Sequence, residues 1–408
     1  MSGMKRRSLL AGAAGVLAAA PLARPWAQRP TTLRWWYHFD NPTSSPAALV
    51  AGFEKAHPDI KVQAESIPWG GGSDYDTRLY TSLIAGNAPD CVMVKFYNLP
   101  RLLEMEALEP LDARIAAWSD RADISDDLWK LHLASDGKRY YLPLLYVILY
   151  LYIRQDWLAE KGLKAPADFA SFLDVAKALT GGDRWGFGLR GGPGGHDHWA
   201  TFVLGGGAKL IKGGLVTPEA LAANRWFIDL YRVHHVFPPS APADGFVQTI
   251  ANMKAGRTAM TIHHVGSANE IVAVLGDKIT AVPVPRGPQG QGWTSFGDQS
   301  NAIFASSKNK EAAWQWITYL STAQANATIA GLAGQLPVTT TAAKTWSAQP
   351  KRFIDASLAS LPIAGLMPAS PQTTDFTRTV WPQTTQKALL GQIPPDEMMR
   401  IFEKHFFG

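Results

Sequence analysis

Between Leu33 and Val94 the chain alternates three strand patterns with two amphipathic helix patterns, and that order leaves few folds open. Leu33-Arg34-Trp35-Trp36-Tyr37-His38-Phe39 is aromatic-rich and suits a strand. Ser45-Pro46 then supplies an N-cap and a proline for the first helical turn, with Leu49 and Phe53 on the apolar face and Pro58 as the stop. Ile60 to Ile67 alternates at period two and forms the second strand. After a loop at Trp69-Gly70-Gly71-Gly72-Ser73, a helix begins at Asp74 or Asp76, carries Leu79, Leu83 and Ile84 on one face and ends at Gly86-Asn87. Pro89-Asp90 leads into the third strand. This order specifies an α/β fold: a mostly parallel sheet with right-handed crossovers and helices on both faces. Ligands in such sheets sit outside the carboxyl ends of the strands. One mouth should therefore collect Trp36, His38 and Asp40, the Trp69–Ser73 loop, and Lys95 to Asn98.

At 408 residues the chain is too long for one ordinary core, and two lobes of roughly 150–200 residues each are expected. From Tyr140 to Ile153 it is almost continuously apolar, and Pro143 within that run breaks ladder hydrogen bonding, so an interlobe crossing is expected beside it. A glycine-rich stretch, Gly181 to Gly195, lies inside the next lobe. Thr217-Pro218-Glu219 caps a long helix, and Pro283 to Gly292 is a loop suited to end a lobe segment.

The N-terminus reads as an export signal. Lys5-Arg6-Arg7 precedes Leu9 to Ala20, a run of Leu, Ala, Gly and Val too short for a stable membrane anchor. Paired Arg6 and Arg7 before Ser8-Leu9-Leu10 resemble a twin-arginine signal, while an ordinary Sec signal fits the same charges. Cleavage near Ala27 would remove Lys5, Arg6, Arg7 and Arg24 and take the formal charge from +5 to about +1. A near-neutral mature chain gives no argument for nucleic acid or an anionic membrane as partner. The one cysteine, Cys91, opens an apolar strand and reads as a buried core residue. With no cysteine near the end of the signal, a free periplasmic protein is expected, and a monomer.

Common catalytic templates fail. Gly186-Phe187-Gly188-Leu189-Arg190-Gly191 matches GxGxxG, but Gly192-Pro193-Gly194-Gly195 cannot open a helix, and Ile211 stands where an acidic residue belongs. No P-loop, HExxH or GxSxG is present. His196-Asp197-His198 and His234-His235 lack further ligands at metal spacing, so no metal and no cofactor are expected. An exported carbohydrate-cleaving enzyme would need two carboxylates at an aromatic cleft, and only Asp40 and Asp298 offer themselves.

Seven blocks in order resemble the bacterial extracellular solute-binding family of ABC importers, the maltose-binding-protein-like group. They are Phe53 to Val62, Leu83 to Asp90, Leu108 to Asp112, Gly137 to Pro143, Met253 to Met260, Ser306 to Trp314, and Gly334 to Val338. After the first crossing the family usually has Tyr-Asn, whereas this chain has Leu151-Tyr152-Ile153-Arg154. The resemblance implies a two-lobed periplasmic-binding-protein fold with ligand in the cleft. The N-terminal lobe would hold 31–143 and 298–338, and the C-terminal lobe 144–297 and 339–408. It also implies capture of a sugar by hinge closure and delivery to the membrane permease subunits.

A sugar presents hydroxyls at its edge and C–H groups on its faces, so its site needs flat rings and in-plane polar groups. The aromatic candidates are Trp36, Trp69, Trp199 and Trp293; the polar ones are His38, Asp40, Lys95, Arg190, His196, His264, Asp298 and Gln335. Any of these tryptophans could instead be core, and Trp35 should face the core if Trp36 faces the cleft. Lys95 and Arg190 are either surface charges or cleft cations; in the cleft they would favour an anionic polyol such as glycerol 3-phosphate.

Overall fold

The computed structural model describes residues 29–39, 44–68, 73–368 and 370–408. The export segment 1–27, Asp40 and Trp69 lie outside the described residues. Among the described residues ten strands are present: β1 (Thr31–Tyr37), β2 (Ile60–Ser66), β3 (Cys91–Val94), β4 (Tyr141–Arg154), β5 (Trp185–Phe187), β6 (Thr258–His264), β7 (Ile279–Val282), β8 (Thr294–Ile303), β9 (Leu336–Pro337) and β10 (Ala364–Gly365).

The opening alternation folds as its pattern requires. Helix Ala47–Ala56 links β1 to β2, and helix Ser73–Ile84 links β2 to β3. β1 pairs parallel with both β2 and β3. Leu49, Phe53 and Leu79 are buried as expected, but Ile84 is 78% exposed, because the helix runs out past the sheet just before the left-handed Gly86. Thr217 caps helix Pro218–Arg232 by accepting from the Ala220 N–H.

β8 then runs antiparallel to β3, and β4 antiparallel to β8. β4 is the element shared by two sheets. Its residues Tyr141 to Ile148 pair with β8, and Leu149 to Arg154 pair with β6 and β7. β5 pairs parallel with β6 at the far edge. Pro143 does not end the ladder. The register slips between Pro143 and Leu145, a bulge absorbs the missing donor, and the change of sheet falls at Ile148/Leu149.

Apolar side chains cover both faces of each sheet. Trp36, Val92 and Val94 pack under helices Ser73–Ile84 and Leu99–Glu104. Trp35, Phe53 and Trp316 form the opposite face, continuous through the hinge with Tyr150, Tyr152 and Phe353. Leu151, Phe187, Phe202, Trp381 and Phe402 fill the second lobe. The result is an α/β molecule of two lobes with a cleft between them. Cys91 is buried, and burial pushes its thiol well up.

The glycines of the GxGxxG match serve packing. No helix follows Gly191 until His196–Val203, and a Cβ on Gly186 would sit 2.2 Å from the Ala176 carbonyl oxygen. Among the described residues no helix is long and apolar enough to cross a membrane.

Trp35 is fully buried, stacks on Tyr37 at 4.9 Å, meets Trp316 edge-on at 5.3 Å and donates to Asn301 Oδ1 at 3.0 Å. Trp35→Ala should destabilise the protein by about 3–5 kcal/mol, read by urea denaturation followed by circular dichroism.

Candidate functional site: the interlobe cleft

The carboxyl ends of β1 and β3 deliver the N-terminal wall. His38 follows β1, is buried, and meets Tyr75 edge-on at 4.7 Å. Burial first, then the Lys95 charge, hold its imidazole well below the usual value and therefore neutral. Lys95 follows β3 and opens the turn Phe96–Asn98. That turn is fastened from β8: Asp298 Oδ1 accepts from the Phe96 N–H at 2.9 Å, and its Oδ2 accepts from Ser300 Oγ at 3.1 Å. Asp298 is thus a buried structural acceptor.

Beside the turn lies Asp76, fully buried. It accepts from Asn98 Nδ2 at 3.0 Å and Tyr97 Oη at 3.4 Å, and pairs with the Arg378 guanidinium. Arg378 belongs to the helical turn Phe376–Val380, whose Phe376 is anchored in the second lobe's core with nearby Trp381. This ion pair therefore joins the lobes. Burial raises the Asp76 carboxyl, against the pull of Arg378, Asn98, Tyr97 and Lys95.

The C-terminal wall grows from the ends of β5 and β6 and the start of helix His196–Val203. Arg190 donates through Nε and Nη2 to the Pro193 carbonyl at 3.1 and 2.7 Å, and its guanidinium carbon lies 5.4 Å from the Phe246 ring centroid. His198 Nδ1 accepts from the Arg190 N–H at 3.2 Å, so its Nε2–H donates to the Ile262 carbonyl at 2.8 Å. Burial, then Arg190, push this neutral imidazole down to about 3. His196 Nε2 stands 3.5 Å from Asp197 Oδ1. Burial works to raise the Asp197 carboxyl, but His196, a hydrogen bond from Ser295 and the Arg190 charge hold it below its ordinary value. His264 turns back and accepts from the Gly266 N–H at its Nδ1, 3.0 Å away. His263 is 3% exposed and edge-on to Phe246 at 4.3 Å.

The floor is β8 and what pairs with it. Gln299 Nε2 donates to Gln335 Oε1 at 2.7 Å, and both side chains are buried. Trp293, half-buried, precedes β8; its indole lies so close to Gly365 that a Cβ there would be 2.4 Å from Nε1. Ser295 and Asp298 put the two walls about 10 Å apart along one strand.

Several expected contacts are therefore redistributed. His38 and Lys95 form one wall; Arg190, His196 and His264 form the other; Asp298, Gln335 and Trp293 lie along the floor. Trp36 and Trp199 are core. Trp36 donates to Glu65 Oε2 at 2.8 Å beneath the Arg78 guanidinium. Trp199 is fully buried, donates to Asn224 Oδ1 at 3.0 Å and packs on Phe376 and Phe402. The reason is general: a sheet covered on both faces buries successive residues of a strand, so Trp35 inward does not leave Trp36 free. Asp76, Tyr97, Asp197, Phe246 and Arg378 join the site without having been expected. Asp197 was legible between two histidines; Arg378, 302 residues from Asp76, was not.

A family model for bacterial extracellular solute-binding proteins matches residues 40–327. The chain belongs to that family. The family consists of binding proteins and not enzymes. A Brucella abortus (strain 2308) protein designated only as a binding protein is 27% identical to this solute-binding protein over 358 residues, 85% of each chain. An ABC transporter solute-binding protein from Thermotoga lettingae, solved with α-D-tagatose, shares the fold at TM-score 0.79 and 23% identity, covering 92% of this chain and 98% of that one. The GacH receptor of Streptomyces glaucescens, solved unliganded and with acarbose, gives TM-score 0.80 at 21% identity, covering 92% and 97%. The sugar-binding protein MalE from Xanthomonas citri gives 0.78 at 23%, covering 92% and 96%.

The buried histidines of this solute-binding protein should make it acid-sensitive. His263 titrates well below its ordinary 6.5, from burial first and then His264, Arg190 and His198. The unfolded chain therefore binds a proton that the folded one refuses, and stability falls as pH drops below 6.5. Each such group contributes a slope of up to about 1.4 kcal/mol per pH unit. His263→Phe keeps a ring against Phe246 and should flatten thermal stability between pH 6.5 and 4.5 by about one group's slope. An unchanged pH profile would refute this.

Proposed function

We propose that this solute-binding protein captures a neutral sugar, mono- or oligosaccharide, by hinge closure and delivers it to the membrane permease of an ABC importer. The observation that carries the reading is the charge balance of the walls. The cations Lys95, Arg190 and Arg378 act on the carboxylates Asp76 and Asp197, while Asp298 lies between the Phe96 backbone N–H and His132. His38, His196, His198 and His263 are held below their ordinary value by burial, and so stay neutral. With Asp40 among the groups proposed to reach the ligand, four carboxylates stand against three cations, so such a site has no net positive charge to offer an anion, but many donors and acceptors for hydroxyls. This weighs against glycerol 3-phosphate. Arg190, His196, Asp197 and His264 from one lobe, and His38, Lys95 and Asp40 from the other, are the polar groups proposed to reach the ligand over a floor of Asp298 and Gln335. Trp293 and Trp69 are the rings proposed to stack on it. The tagatose and acarbose bound by the fold's relatives agree with this class.

Ligand bridging both walls binds the closed form better and shifts the population towards it. The lobes in this proposal are 31–143 with 298–338, and 144–297 with 339–408. β4 and β8 carry the crossing, and their change of sheet partners supports it. The mature protein works as a periplasmic monomer, with the segment ending near Ala27 removed.

A thermal-shift panel tests the ligand class, since saturating ligand raises stability by mass action. Neutral sugars should raise the melting temperature and glycerol 3-phosphate should not; Arg190→Met should weaken the best sugar about ten- to a hundred-fold. A response to the anion alone overturns the reading, and turnover of a glycoside would make the protein an enzyme. For export, changing Arg6 and Arg7 together to lysine should leave precursor in the cytoplasm on fractionation if the signal is of the twin-arginine type. Unimpaired export would assign it to Sec.

A further inference from the structure

Outside the cleft, the N-terminal lobe carries a shallow, solvent-open depression between helices Asp112–Ala117 and Lys310–Leu320. β8 ends at Ile303 beside Cys91, the amino end of β3, so helix Lys310–Leu320 starts from the edge of the lobe away from the mouth. None of the cleft residues lines this depression. Its walls are Trp118 and Trp314, with Arg114 and Glu311 beside them and Ala117 and Ser119 at the rim.

We propose that this niche is an independent site for a neutral pyranose ring. The two indoles meet edge to face, their centroids 6.3 Å apart at 81°. Both are half-buried and held against the main core, so ordering them on binding costs little entropy. Among the described residues neither indole N–H has a hydrogen-bond partner. Arg114 Nη1 donates to Glu311 Oε2 at 2.7 Å, and the guanidinium lies 5.9 Å from the Trp314 centroid.

That pair selects the ligand. A guanidinium offers donors only and a carboxylate acceptors only, whereas each sugar hydroxyl both donates and accepts. A vicinal diol uses both partners at once. A phosphate or carboxylate would meet Glu311, an ammonium would meet Arg114, and a hydrocarbon would leave both charges desolvated. An uncharged ring with a C–H face and a hydroxyl edge satisfies the indoles and the ion pair together. The inference does not depend on what the cleft binds.

The experiment is a titration of the mature protein, ¹⁵N-labelled at the indoles, with methyl α-D-glucopyranoside, methyl β-D-galactopyranoside and methyl α-D-mannopyranoside. Trp118→Phe and Trp314→Phe assign the two indole signals. Both signals should shift saturably with at least one glycoside, with half-saturation in the millimolar range. Glu311→Ala, a change at an exposed side chain, should weaken that response at least five-fold while leaving the melting temperature near that of the parent. The shifts should persist in Arg190→Met, which separates them from cleft binding. If no glycoside moves both signals, or if the shifts vanish with Arg190→Met, the site does not exist. If they follow protein concentration instead of sugar, the niche belongs to a second copy of the chain and the proposal fails.

Discussion

The antiparallel ladder between β4 and β8 is the interaction on which the rest of the molecule is built. β8 completes the N-terminal sheet by pairing with β3, and β4 leaves β8 at Ile148 to found the second sheet with β6 and β7. Two strands passing side by side between lobes allow bending more readily than separation. The bulge at Leu144 gives the ladder an irregular point near the middle of its run. Every residue of β4 is buried, so the hinge is also part of the core. Tyr150 and Tyr152, hydrogen-bonded at 2.8 Å and packed on Phe353, stiffen the stretch just beyond the change of sheet.

The ladder also sets where charge can be held. Burying a carboxylate is costly unless it is paired and hydrogen-bonded. Asp298 meets that demand by accepting a backbone N–H across the strand, which fixes the turn carrying Lys95. Asp76 meets it only in part from its own lobe, through Asn98 and Tyr97, and takes its cation, Arg378, from the other. Opening the cleft at that point would strand a buried carboxylate, so the balance between open and closed forms is weighted by a contact that needs no ligand.

The fold was largely legible in the sequence because its signals are local. Alternation, Pro58 and the Thr217-Pro218 cap each fix an element from a few neighbouring residues, and β1, β2 and helix Pro218–Arg232 lie where those signals put them. Of the candidate site, the carboxyl-end rule reaches only the placement of His38 and Lys95 after β1 and β3 and of His264 at the end of β6. Aromatic identity misled. Trp36 and Trp199 have the chemistry of a sugar platform, but a doubly covered sheet and an amphipathic helix each had a larger claim on them. Arg378 and Asp76 meet only through the tertiary fold, and no spacing rule reaches across 302 residues.

On the proposal that the cleft takes an uncharged sugar, its specificity follows from the lack of net positive charge more than from any single side chain. A protonated histidine beside Arg190 or Lys95 would shift the walls towards positive charge, and burial is what prevents it: His38 and His263 are both kept uncharged by loss of water before any neighbour acts. The same burial leaves the carboxylates dependent on their partners: desolvation works to raise the Asp197 carboxyl, and its neighbours, the Ser295 hydrogen bond and the Arg190 charge among them, hold it below its ordinary value. A solute entering with its own charge would break one of these pairings and have to repair it, whereas a polyol adds donors and acceptors in equal number and leaves each pair intact. On that proposal the walls would discriminate by what a wrong solute leaves unpaired, a stronger filter than what the right one gains.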